Sequence, residues 1–373
     1  MDYDLNEEQH ILKESARRFL KERCPSEYVR AMSEDLKGCS DAVWQEMADL
    51  GWMGLMIPDP YGGSGMDFLH LAVLLKEMGY FCLPGPFFST VVFGGLTLLE
   101  AGSKAQKEAL LPDCAQGKLR LTLAWLEQEG LYTPEAIQLR AEKKNGYRLS
   151  GTKLFVPDAL GADYVICAAR TGEKLTDISL FLVEAGSTGL GLTPLETLAG
   201  DKLCALIFDG VSVSEGNLLG HLNAGWPVLK KVLLMAAVAK CAEMNGGARR
   251  VLEMTVAYVK DRVQFGKPVG AFQAVQHHCS NMLTFAETLQ FMTDQAAWRI
   301  SAGLPFEKEA SMCKAWASDS YRKLVALAHQ CIGGMGFMEE FDLQLYFKQA
   351  KAAEQMFGDA DFHREWLARE MGL

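Results

Sequence analysis

Apolar positions recur with a helical period through the first third of the chain. In NEEQHILKESARRFLKER, Ile11, Leu12, Ala16, Phe19 and Leu20 fall on one face of a 3.6-residue helix, and Asn6 is placed to cap its N-terminus. Further helices are predicted in WQEMADLGWMGLM, FLHLAVLLKEMGY and KAQKEALLPDCAQG, punctuated by the Gly-rich loop PDPYGGSGMD and by closing Gly or Pro residues. Around residue 121 the period changes. LTLAWL, AIQLRAEKKNGYRLSGTKLFV, DYVICAAR, ISLFLVEA and CALIFDGVSV are short, rich in β-branched and aromatic residues, and separated by turn chemistry such as Asn145-Gly146. From Gly225 onward, long amphipathic runs return at about 227–262, 271–302, 306–332 and 338–354, lengths that suit a four-helix bundle. The expected organisation is a helical N-terminal domain over 1–120, a central β domain over 121–224 and a C-terminal bundle over 225–373.

Composition narrows the class. A chain of 373 residues is long enough for two or three structural units. The longest purely apolar run, Val232 to Ala239, lies between Lys231 and Lys240 and is too short to cross a bilayer. The N-terminal MDYDLNEEQH is acidic and has no basic segment followed by an apolar one, so no leader is expected and the cytoplasm is the default location. A net charge of −10 argues against nucleic acid as the main partner. Ten Cys without a CxxC pair or metal-ligand spacing fit reduced, mostly buried thiols, with no metal site expected.

Two motifs carry chemistry. DRVQFGKPVGAFQAVQHHCSNM, 261–282, followed by HQCIGGMGFMEE, 329–340, closely resembles the acyl-CoA dehydrogenase family. NEEQHILKESARRFL is similar to that family's opening helix, DPYGGSG to its Gly-rich helical-domain loop, and LSGTKLFVPDALGADYVICAAR to the β segment that borders the flavin. The resemblance covers essentially the whole chain. It implies an α+β fold, mainly α, with a helical N-terminal domain, a central β-barrel-like domain and a C-terminal four-helix bundle. It also implies FAD, an acyl-CoA thioester, electron-transfer flavoprotein as oxidant, and a homotetramer or dimer.

Carried over residue by residue, the resemblance puts Arg262, Gln264 and Phe265 against the FAD of a neighbouring subunit, and makes Gln273, Gln330, Gly333 and Gly334 further FAD contacts. A guanidinium forks onto pyrophosphate oxygens, and Gly-Gly lets backbone approach a phosphate or adenine. Read without the resemblance, Arg-x-x-Phe-Gly is also an ordinary helix end with a capping Gly. Phe155 matches the aromatic residue beside the flavin ring, and is equally readable as a core strand residue.

The family's reaction is α,β-desaturation: a carboxylate removes the α-proton while the β-hydrogen leaves as hydride, with the thioester carbonyl hydrogen-bonded. In most members the base is a Glu before a Gly in the last loop, and in a minority it is a Glu on the first long helix of the bundle. Here the departures begin. Aligned without gaps, Phe357 stands at the first position and Ala236 at the second. Leu126 and Pro157 also replace residues that often offer hydroxyls to the flavin, and Pro157 has no N–H to substitute.

Substitute acids are few. Asp359 lies two residues beyond Phe357, although Asp359 or Asp361 is also a natural N-cap for DFHREWLARE. Glu243 is seven residues after Ala236, on nearly the same helix face but about 10 Å along the axis. His363 is a third candidate base. The leading expectation is an FAD-dependent acyl-CoA dehydrogenase-like protein that either has a displaced base or is one subunit of a heteromer whose other subunit supplies the Glu. Two alternatives stand beside it: a non-catalytic structural partner, and a flavin monooxygenase of the same fold, against which the motifs favour the dehydrogenase branch.

Overall fold

The computed structural model describes residues 4–373; Met1 to Tyr3, part of the acidic stretch read above for a leader, lie outside the described residues. The helices are α1 (Glu7–Arg23), α2 (Ser26–Glu34), α3 (Asp41–Asp49), α4 (Phe68–Tyr80), α5 (Leu96–Ala101), α6 (Lys104–Ala115), α7 (Gly225–Asp261), α8 (Gln273–Ser301), α9 (Glu307–Ile332), α10 (Leu343–Gln355) and α11 (Ala360–Glu370). The strands are β1 (Leu121–Ala124), β2 (Arg140–Lys143), β3 (Tyr147–Pro157), β4 (Tyr164–Arg170), β5 (Ile178–Glu184), β6 (Leu190–Leu195), β7 (Leu203–Val213), β8 (Leu218–Leu219), β9 (Val263–Gln264) and β10 (Lys267–Pro268). They form two compact units. One comprises the chain up to Arg30, Asp67–Leu83 and Ala237–Leu373; the other comprises Ala31–Met66 and Pro84–Ala236.

The first unit is helical. Its opening helix has a reciprocal cap: Asn6 Oδ1 accepts from Gln9 N at 2.8 Å, and Gln9 Oε1 accepts from Asn6 N at 3.1 Å. The centre of the unit is α9, which packs against α8, α10 and α11. Its buried residues Ala310, Cys313, Ala317, Tyr321, Leu324 and Ala328 recur every three or four positions, as an apolar stripe requires. Helices α4 and α7 meet backbone to backbone. A Cβ on Gly79 would stand 2.0 Å from Glu243 O, and one on Gly246 would stand 1.9 Å from Lys76 O, so only glycine permits this approach. Beside it, Arg17 forks onto the buried Glu77 at 2.7 and 3.1 Å.

The second unit is built on an eight-stranded sheet of order β6-β7-β3-β2-β4-β5-β8, with β1 added parallel on β4. Its core includes Leu149, Cys167, Phe181, Leu206 and Val211, which alternate inward along their strands. Asn145 and Gly146 lie in the three-residue loop 144–146 that joins β2 to β3, both at positive φ, 46° and 105°. The pairing of β3 with β7 slips twice, once between Leu149 and Gly151 and once between Lys153 and Val156. The second slip contains Phe155.

Several elements differ from the sequence expectation. Residues 88–95 form a π-helix, every residue of it buried. α2 and β6 had no counterpart in the pattern reading, and the last bundle run starts at Leu343 rather than 338. Among the described residues, no helix is long and apolar enough to cross a membrane.

Candidate functional site

In the first unit, the loop between α10 and α11 carries Phe357, which is 4% exposed. Its φ is +64° and that of Gly358 is +91°, so two successive residues adopt the left-handed region. For a phenylalanine that conformation is strained, by about 1–3 kcal/mol, and persists only where the surroundings hold it. The loop ends at Asp359, whose Oδ1 accepts from Phe362 N at 2.9 Å and so caps α11. Its other carboxylate oxygen has no hydrogen-bond partner among the described residues. Asp361 is exposed in the first turn of α11.

His363 is buried beneath the loop. Its Nε2 lies 3.0 Å from Phe357 O and its Nδ1 lies 3.1 Å from Ser311 Oγ. A carbonyl can only accept, so Nε2 carries the proton and Nδ1 accepts from the serine hydroxyl. Burial, with the nearby charge of Lys314, lowers the imidazole pKa to about 4, which keeps this ring neutral. The geometry makes His363 a clamp on the loop.

The second expected base position offers no acid. Ala236 is fully buried, and Glu243, further along α7, is ion-paired with Lys240.

The Arg262 motif forms an exposed hairpin. β9 and β10 pair antiparallel around Phe265 and Gly266, which have φ of +55° and +77°, and Phe265 is 91% exposed. The backbone of Arg262 is fixed, its N–H to Tyr258 O and its carbonyl to Val269 N, while its guanidinium has no partner among the described residues. Gln264 is exposed, and among the described residues its side-chain amide bonds only to Val263 O; Gln273 is exposed at the first position of α8. Gln330 is exposed on the last turn of α9, and Gly333 closes that helix with φ +70°. A Cβ added at Gly333 or Gly334 would meet nothing within 4 Å, so both glycines line open space. Unpaired cation, bare backbone and exposed amides are what a phosphate-bearing dinucleotide requires.

In the second unit, Phe155 lies within the second slip of β3, at φ +55° and 47% exposed. A bulge re-aims a side chain out of the strand's regular alternation, and here it presents a phenyl ring to solvent. Leu126 is tied to the neighbouring strand through its carbonyl, which accepts from Leu154 N at 2.9 Å. Pro157 O accepts from Thr122 Oγ1 at 2.6 Å. Fully buried Lys153 donates to Trp125 O at 3.3 Å and pairs with Glu127 at 2.7 Å, which locks the two segments together.

Three family models cover nearly all of these elements: the acyl-CoA dehydrogenase N-terminal domain at residues 6–118, the middle domain at 122–211 and the C-terminal domain at 223–372. The chain belongs to the acyl-CoA dehydrogenase family. It is similar to acryloyl-CoA reductase (NADH) of Anaerotignum propionicum, with 30% identity covering 100% of this chain and 96% of that one. Among solved structures it is similar to a chain of the ChsE4-ChsE5 complex from Mycobacterium tuberculosis, with 25% identity, a TM-score of 0.91 and coverage of 100% and 99%. A chain in the structure of the electron transferring flavoprotein of Acidaminococcus fermentans matches with 26% identity, a TM-score of 0.92 and coverage of 100% and 99%.

The family resemblance singled out Arg262, Gln264, Phe265, Gln273 and Gln330, all of which the structure leaves exposed. Sequence reasoning missed Lys314 and the clamping part of His363, because they act through main-chain carbonyls 40 and 44 residues away for Lys314 and six residues away, in the preceding loop, for His363.

Proposed function

We propose that this member of the acyl-CoA dehydrogenase family is an FAD-dependent oxidoreductase acting on the α,β C–C bond of a CoA thioester, as the subunit of a heteromer that does not itself supply the base. The observation that carries the proposal is the buried, left-handed Phe357 in the last loop, together with apolar Ala236 on α7. A base must reach the α-carbon to about hydrogen-bond distance, and neither position holds a carboxylate. The resemblance to a chain of a two-protein complex supports the same reading. As partners we infer a second acyl-CoA dehydrogenase subunit that has its Glu and, as oxidant, an electron-transfer flavoprotein.

The residues fit FAD. Arg262 would meet pyrophosphate oxygens with a guanidinium that has no partner among the described residues, and Gly333 and Gly334 would let backbone approach them. Gln264, Gln273 and Gln330 supply exposed amide donors, Phe265 an exposed ring, and Phe155 a ring already turned out of its strand. When bound, FAD accepts the β-hydrogen with its electron pair. The chain's own residues would then orient the cofactor.

A second reading keeps the chemistry within this chain: Asp359, with one oxygen capping α11 and the other unbonded, takes the proton, with Glu243 a weaker candidate held by Lys240. Anaerobic flavin bleaching separates the two. The purified chain alone, offered butyryl-, isovaleryl- and phenylpropanoyl-CoA, is expected to stay unbleached, and to bleach when a Glu-bearing partner subunit is added. Bleaching by the chain alone that is abolished in Asp359→Ala would overturn the heteromer reading in favour of the displaced base.

A further inference from the structure

Lys314 lies on α9, fully buried, beneath the loop that carries Phe357. Its Nζ donates to Ser318 Oγ at 2.8 Å, Gly358 O at 2.9 Å and Glu354 O at 3.1 Å. An ammonium has three donors, and all three are taken. Among the described residues it has no salt bridge to a carboxylate; Asp359 and Glu354 act on it only at longer range. Burying an unpaired ammonium is costly, and an apolar side chain of the same length would avoid that cost. What the lysine gains in return is geometry.

The acceptors define that geometry. Glu354 O belongs to the last turn of α10, where the helix dipole favours a cation, and Gly358 O follows the left-handed pair. Between them, Phe357 O accepts from His363 Nε2. Three carbonyls on either side of, and at, position 357 are therefore held by side chains of α9 and α11. Ser318 Oγ adds a longer contact to Glu354 O at 3.4 Å, and Ser311 orients His363.

We propose that Lys314 is a positioning residue that sets the backbone turn at residue 357. The inference rests on reading this loop as the family's base loop. It goes further by assigning the turn to the clamp rather than to the side chain at 357, so the chain has kept the support for a base after losing the base. An acid returned to position 357 is then held in working position. In that variant the introduced carboxylate forms an O–H bond to the α-proton as the α C–H bond breaks. Bound oxidised FAD would supply the acceptor for the β-hydrogen and its electron pair as the Cα–Cβ double bond forms.

Two independent measurements test this. In the first, para-fluorophenylalanine is placed at 357 in the full chain and read by fluorine NMR without any thioester. The parent is expected to give one narrow resonance, and Lys314→Met to shift or split it. Ser318→Ala, which removes one of three acceptors, is expected to move it less and in the same direction. Val211→Ala, a core truncation in the other unit, is expected to leave it in place despite lowering stability. An unmoved resonance in Lys314→Met, or an equal movement in Val211→Ala, overturns the proposal; if Lys314→Met does not fold, Ser318→Ala decides.

In the second, Phe357→Glu is offered the three thioesters named above and is expected to bleach its flavin unaided. Adding Lys314→Met is expected to slow bleaching at saturating thioester by about tenfold while leaving the half-saturating concentration unchanged, as a displaced catalytic group does. If Phe357→Glu bleaches with none of them while the resonance responds to Lys314, the base-loop reading fails and the clamp stands.

Discussion

Three phenylalanines, Phe155, Phe265 and Phe357, adopt positive φ, and each occupies a position that the family resemblance marks. Strain of this kind clusters where structure is held for a purpose, and it gives a residue-scale prediction. In the Phe265-Gly266 turn both residues need φ above zero, a demand that asparagine meets better than phenylalanine. Because Phe265 is 91% exposed, Phe265→Asn loses almost no burial and is expected to stabilise the chain by about 0.5–1 kcal/mol in urea unfolding. The same change is expected to weaken FAD retention on gel filtration, since the exposed ring is part of the proposed contact. Arg262→Ala is expected to weaken FAD binding by about 1.5–3 kcal/mol without altering the unfolding midpoint of the apoprotein, because its guanidinium has no partner among the described residues. Asp359 carries a different load. Asp359→Ala is expected to cost about 1 kcal/mol of stability through the lost cap, with Asp359→Asn retaining most of it.

At the scale of elements, the crossing of α4 and α7 sets the tightest constraint. A methyl group at Gly246 would meet Lys76 O at 1.9 Å, and main chain cannot swing aside as a side chain can. Gly246→Ala is expected to destabilise the chain by about 3 kcal/mol or more, measured by thermal unfolding, whereas alanine at the other helix glycines will vary with their neighbours. This constraint was not legible in the sequence, where AEMNGGARR reads only as a weak spot in a helix. What was legible is local. The α1 cap, the Asn145-Gly146 hairpin and the α9 stripe all rest on contacts within a few residues, so their residue types announce them. β6 was missed because it is a half-exposed edge strand whose short apolar alternation, Leu190 and Leu192, runs into Pro194. The π-helix was missed because FSTVVFGG is buried all round and shows no face. At the candidate site, the missing Glu was visible in the sequence, but the clamp that supports its position was not: Lys314 and Gly358 are 44 residues apart.

For the whole molecule, acid is the expected weak point. The His363 pKa is lowered from 6.5 to about 4 in the folded chain, so between these values the unfolded chain binds more protons. Its contribution to stability is complete above about pH 6.5 and is lost as pH falls toward 4, amounting to about 3 kcal/mol. Urea unfolding across that window is expected to show this loss, and His363→Asn to flatten it. The cysteines provide a way to watch such loosening as it happens. Eight of the ten are buried and two, Cys279 and Cys331, are half-buried. Burial raises the pKa of several, Cys114 and Cys167 to about 12, so alkylation of these native thiols awaits local opening. Because Cys39, Cys114, Cys167 and Cys204 lie in the second unit and the other six in the first, the order in which mass spectrometry finds them labelled forms a built-in clock. It reports which unit opens first.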